Sequence, residues 1–181
     1  MRTVSGEYAA ALADVALATP EAGRAESLRR EVRAMAELDA ASPDLRNFLA
    51  SPAVPREGKH AVIEKLVEHM GGSQELRNFL FLLVDHHRTG MLEEIAREFE
   101  TTLLSRMGIV QASVTSAREL SAPQREKLAG KLEGLTGKKI EAHYAVDPAL
   151  VGGLAVRIGS TVYDGSVRTQ LNRLAARLTE E

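Results

Sequence analysis

The sequence predicts an α+β fold, an N-terminal six-helix bundle plus a small C-terminal α+β domain. Three observations point there. Apolar residues recur at helical spacing through residues 1–107, and from Gly108 onward the period shortens to strand alternation. Pro20, Pro43, Pro52 and Pro55 fall between the helical stripes, where proline starts or stops a helix without having to run through one.

Val4, Tyr8, Leu12 and Val15 form the first stripe; Leu28, Val32, Met35 and Leu38 form the next. Val62, Ile63, Leu66, Val67 and Met70 follow, and Leu92, Ile95, Phe99 and Leu103 close the series. With Gly71-Gly72 and Gly90 as further breaks, the helices fall at about 4–18, 21–40, 43–50, 56–70, 74–88 and 91–106. Ser42-Pro-Asp-Leu-Arg-Asn-Phe-Leu49 is echoed by Ser73-Gln-Glu-Leu-Arg-Asn-Phe-Leu80, each with a Ser N-cap and an early acid where the helix dipole favours it. Two copies are too few for a solenoid.

Val110, Ala112 and Val114 alternate with polar neighbours and predict a strand. Ser121 opens a helix with Gln124 placed to close a capping box, and Gly137 is placed to cap its end. Ile140 to Val146 and Leu154 to Ile158 read as strands, and Thr161 to Tyr163 as a short extended piece. Val167, Leu171, Leu174 and Leu178 predict a closing helix. The domains are therefore expected at 1–107 and 108–181.

Composition excludes several functions. Net charge is −2, without the basic excess of a nucleic-acid binder. The helical part carries 13 Lys/Arg against 17 Asp/Glu and the mixed part 10 against 8, a split too small to assign partners by charge. There is no Cys, which removes disulfides, thiolate catalysis and Cys-ligated metals. No uninterrupted apolar run exceeds six residues, as in Phe79 to Val84, against about 20 for a membrane span. The N-terminus lacks the continuous apolar stretch of a signal peptide, so the expected location is the cytosol.

No catalytic constellation emerges. Adjacent His86 and His87 would diverge by about 100° on a helix and could not easily share a metal. Glu57-x-x-His60 has the spacing of half a di-metal site but no second copy, and His69 and His143 stand alone. Gly134-Leu-Thr-Gly137-Lys-Lys fails the phosphate-loop spacing. Apolar surface is the more informative feature. Leu76, Phe79, Leu80, Leu83 and Val84 make a broad core face on the fifth helix, which leaves Phe81 and Leu82 pointing largely elsewhere. Ala9, Ala10, Ala11, Ala13 and Ala16 keep the first helix slim on several sides. A helix apolar on more than one side is buried on more than one side, either by its siblings or by a partner helix.

The C-terminal residues carry a family resemblance. Gly152-Gly153-Leu-Ala-Val-Arg-Ile-Gly159, followed by Val162-Tyr-Asp164-Gly165-Ser166-Val167-Arg168, resembles the delta subunit of bacterial F-type ATP synthases, a relative of the mitochondrial oligomycin-sensitivity-conferring protein. Asp147 to Gly159 matches that family's signature region. The residues have roles of their own: Gly152 and Gly153 permit a tight turn, Asp147 can hold the turn before Pro148, and Asp164 and Ser166 can cap the last helix.

The resemblance implies a non-catalytic peripheral-stalk subunit without cofactor, catalytic residue or metal. Its partners would be N-terminal segments of alpha subunits, gripped by the helical domain, and b subunits, met by the C-terminal domain. It would resist rotor torque from the cytoplasmic side of the cell membrane, without inserting. The alpha-binding groove is then expected on Tyr8, Ala11, Val15, Phe81 and Leu82, between the first and fifth helices. The alternatives are a free helical adaptor for an amphipathic peptide and, third, an enzyme using His60 or His86.

Overall fold

The computed structural model describes residues 3–18, 23–150 and 152–165. It is α+β, with seven α-helices and one four-stranded sheet among the described residues. Contacts divide it into two compact units, Met1–Leu103 and Leu104–Glu181, parted within the last turn of a helix.

The first unit is helical. Its elements are α1 (Val4–Ala18), α2 (Arg24–Ala41), α3 (Pro43–Ala50), α4 (Arg56–Met70), α5 (Gln74–Asp85) and α6 (Leu92–Arg106), with a 3-10 turn at Thr89–Met91 before α6. The echoed segments start α3 and α5 alike: Ser42 Oγ accepts the Leu45 N–H at 3.3 Å, and Ser73 Oγ accepts the Leu76 N–H at 3.3 Å. The α6 stripe Leu92, Ile95, Phe99 and Leu103 is buried as expected, against Val32, Met35, Ile63, Leu76 and Leu83 in one core. The expected start of α2 at residue 21 lies outside the described residues, and Gly23 caps the helix with φ 91°.

Two expectations are corrected. The buried face of α1 is Ser5, Ala9, Leu12, Ala13 and Ala16, whereas Val4 and Val15 of the expected stripe are exposed. A helix apolar nearly all round has no periodicity with which to choose its inner face. Helix α5 ends at Asp85, so His86 and His87 sit on a turn instead of a helix. The Arg88 N–H reaches the Leu83 carbonyl at 2.7 Å and the His87 N–H reaches Val84 at 3.1 Å, a Schellman closure with His87 at φ 55°. Helix α4 closes the same way, with Gly71 at the left-handed position. Histidine in that conformation crowds its Cβ, so no glycine marks the stop in the sequence. His87→Gly is expected to stabilise the first unit by about 0.5–1 kcal/mol. Thermal denaturation checks this; a lower melting temperature would mean that the side chain has a role the strain hides.

The second unit is β1 (Ile109–Ser116), α7 (Ala122–Thr136), β2 (Lys139–Val146), β3 (Leu154–Ile158) and β4 (Thr161–Asp164). The strand order is β2-β1-β3-β4. Strands β1 and β2 are parallel, from Ile109↔Lys139 to Ser116↔Val146, and α7 makes the crossover a parallel pair requires. β3 is antiparallel to β1 and to β4. At the start of α7 the Ser121 N–H donates to Gln124 Oε1 at 2.9 Å, the back half of the expected capping box. Ala112, Val114, Leu132 and Val156 are its buried core, with Leu128, Ile140, Ala142 and Tyr144 packed around them. The expected last helix on Val167 to Leu178 lies outside the described residues.

Candidate functional site: the α1–α5 surface

Two contacts fix how α1 and α5 lie together. The Tyr8 ring meets the His86 ring edge-on, with centroids 6.5 Å apart. Two turns further along α1, Val15 and Ala16 line a cavity with Ser73 and Glu75. The start of α1 therefore neighbours the end of α5, and its end neighbours the start of α5. The helices run antiparallel.

On α1, Tyr8, Ala11 and Val15 follow at spacings of three and four, on one face. On α5, Glu75, Asn78, Leu82 and His86 make the facing stripe. Ala11 is exposed, Tyr8 is half-buried, Val15 is 47% exposed and Leu82 is 43% exposed. These two contacts set Tyr8 and Val15 of α1 beside α5, and Leu82 is exposed one turn before His86 on α5. Phe81 lies elsewhere. Its ring stacks on His60 of α4 at 4.1 Å and 13°, and the Arg77 guanidinium is 5.9 Å from its centroid.

Phe81 belongs to a seam between α4 and α5. Arg77 pairs with Glu64 at 3.4 Å, His60 Nε2 lies 3.1 Å from Asp85 Oδ1, and Arg56 is 3.2 Å from the same oxygen. The partners step by four on both helices (56, 60 and 64 against 85, 81 and 77), as antiparallel packing requires. This accounts for His60 as an aromatic and polar contact within the fold. No group of three or more His, Asp or Glu is placed to hold a metal among the described residues. His69, His86, His87 and His143 are exposed, and His143 Nε2 is 3.8 Å from Glu141.

The cavity at the Val15 end has a volume of about 230 Å³ and is lined by Val15, Ala16, Arg24, Glu31, Ser73 and Glu75, among others. Glu31 accepts the Ser73 N–H at 2.8 Å and its hydroxyl at 2.5 Å, so an acid of α2 caps the start of α5. Arg24 pairs with Glu75, and that hydrogen bond holds the Glu75 carboxyl below the usual glutamate range. The stability this pair supplies is present above the ordinary glutamate range and is lost as pH falls through the lowered value. Sequence inspection missed Arg24, Glu31 and Glu75, because their partners are 42 and 51 positions away.

Of the residues that carry the resemblance in the second unit, Asp147, Gly152, Gly153 and Gly159 lie between strands and Asp164 ends β4. The Asp147 N–H closes onto the Ser116 carbonyl at 2.9 Å, joining the ends of β1 and β2, and its Oδ1 accepts the Ala149 N–H at 2.9 Å. Gly152 and Gly153 lead into β3, and Gly159 takes φ 56° in the two-residue β3–β4 turn, as such turns demand. Asp164 pairs with Ala155 across the sheet, and the Gly165 N–H continues that ladder to Leu154 O at 3.0 Å. Ser166 and Arg168 lie outside the described residues, as does the helix Asp164 and Ser166 were expected to cap.

The described residues hold no helix long and apolar enough to cross a membrane. The family model for the ATP synthase delta (OSCP) subunit matches residues 4–178. ATP synthase subunit delta of Koribacter versatilis is 37% identical over 179 residues, covering 99% of each chain. That of Chlorobium phaeovibrioides is 41% identical over 163 residues, covering 90% of each. Among solved structures, a chain of the Toxoplasma gondii mitochondrial ATP synthase hexamer superposes with a TM-score of 0.70 at 25% identity, covering 98% of both chains. The family model and these relatives cover nearly the whole chain, and the chain belongs to the ATP synthase delta (OSCP) subunit family.

Proposed function

We propose that this peripheral-stalk subunit of F-type ATP synthase ties the catalytic head to the b subunits and does no chemistry of its own. In this proposal the six helices before β1 act as a bundle that grips alpha-subunit N-terminal segments, and residues 108–181 meet the b subunits. It works on the cytoplasmic side of the cell membrane, held there through its partners. A link that resists rotor torque needs tight binding and no turnover. The observation that supports the alpha contact is the exposure of Ala11 and Val15 on α1 and of Leu82 on α5. Ala11, between Tyr8 and Val15, leaves room for an incoming helix, and Leu82 offers it an apolar anchor.

Titration of the full chain with a synthetic alpha N-terminal peptide tests this. Leu82→Ala is expected to weaken binding by about 1–2 kcal/mol, roughly five- to thirtyfold, with little change in melting temperature. Ala11→Leu, on an exposed position, is expected to block the groove while the protein stays folded. Unchanged affinity in both variants would place the alpha contact elsewhere. For the b contact, the chain is expected to co-purify stoichiometrically with alpha, beta and b subunits from solubilised membranes. A free adaptor would not.

A further inference from the structure

We propose that the cavity at the Val15 end of the α1–α5 groove receives a lysine or arginine side chain from the docked helix, which fixes the register of that helix. This rests on the docking proposed above and adds a specificity site to it. The cavity and the proposed groove are continuous, because Val15 belongs to both. Its charged lining is Arg24, Glu31 and Glu75, one negative charge in excess. About 230 Å³ is room for one long side chain with its water.

The two acids differ in how far they are satisfied. Glu31 is engaged by the Ser73 N–H, the Ser73 hydroxyl and the Ser27 hydroxyl. Glu75 uses Oε1 for Arg24, whereas its Oε2 is buried and has no hydrogen-bond partner among the described residues. An ionised oxygen left without a donor is costly, so a donor that brings charge binds there to advantage. Glu75 lines the cavity, and its side chain keeps 26% of its surface exposed there. An apolar side chain would leave that oxygen unpaired, a neutral donor would leave its charge uncompensated, and an acidic one would repel it. The matching occupant is an amphipathic helix whose apolar face covers Leu82, Ala11 and Val15 and whose cation falls beyond Val15.

The test is a double-mutant cycle by calorimetry on the full chain. The probe is a peptide of the cognate alpha-subunit N-terminal segment, with each Lys and Arg replaced singly by Gln. One replacement is expected to weaken binding roughly five- to tenfold, and that loss is expected to vanish in Glu75→Gln. The same peptide position changed to Glu is expected to regain affinity against Glu75→Lys. Because Glu75→Gln also removes the Arg24 ion pair, the peptide-side series on the unaltered protein stands as an independent readout. If the peptide binds and responds to Leu82→Ala but no cation couples to Glu75, the cation pocket is overturned and the groove survives. If the peptide does not bind at all, both fall.

Discussion

Val114→Asp is expected to unfold the second unit and leave the first folded. Val114 is 1% exposed on β1, between Tyr144 of β2 and Val156 of β3. The buried core there is only Ala112, Val114, Leu132 and Val156. An unpaired carboxylate in that position must be buried at a cost of several kcal/mol or must part the sheet from α7. A core so small cannot supply that much. Circular dichroism is expected to lose the strand signal while the helical transition persists, and proteolysis is expected to trim the chain back to the first unit. On the proposed division of labour, b binding disappears and alpha-peptide binding remains. Loss of both together would mean that the units do not act separately.

Phe99→Ala is expected to have the largest effect on the first unit. Phe99 is fully buried on α6, in the same core as Met35, Ile63, Leu76 and Leu83. Removing the ring leaves a cavity that helices anchored on several sides cannot close, at a cost of about 3–5 kcal/mol. At roughly 4–8 °C per kcal/mol for a domain of this size, the helical transition falls by more than about 12 °C. A shift under a few degrees would mean that α6 repacks freely and is peripheral to the core. The second unit's transition is the internal control.

Legibility followed the strength of the local signal. Helix α6 was readable because Leu92, Ile95, Phe99 and Leu103 recur at helical spacing between charged residues that stay off its core face. Helix α1 was readable as a helix but not as to its inner face, since alanines surround it. The end of α5 was obscured by His87, which adopts a conformation usually announced by glycine. In the second unit, strand alternation located every strand but carried no pairing order. Of the proposed groove residues, Tyr8, Ala11 and Val15 follow from helical spacing and Leu82 from its place off the core stripe of α5. Phe81 is one residue from Leu82, and only the position of His60, 21 residues earlier, decides that its ring turns to α4. Arg24, Glu31 and Glu75 are ordinary surface acids and bases until tertiary packing gathers them.

The strand order bears on synthesis. β1 lies in the middle of the sheet, yet it is the first strand to leave the ribosome. Its parallel partner arrives 30 residues later and its antiparallel partner 38 to 46 residues later. Until Val146 has emerged, Val110, Ala112 and Val114 have no strand on either side, and the edge that β3 covers stays open to other chains until Ile158. Nascent chains of this protein are most vulnerable to sticking to one another between the emergence of Ser116 and that of Ile158. Slow translation through 117–153 would therefore lower the yield of soluble protein more than the same delay inside the helical half, whose contacts are largely local.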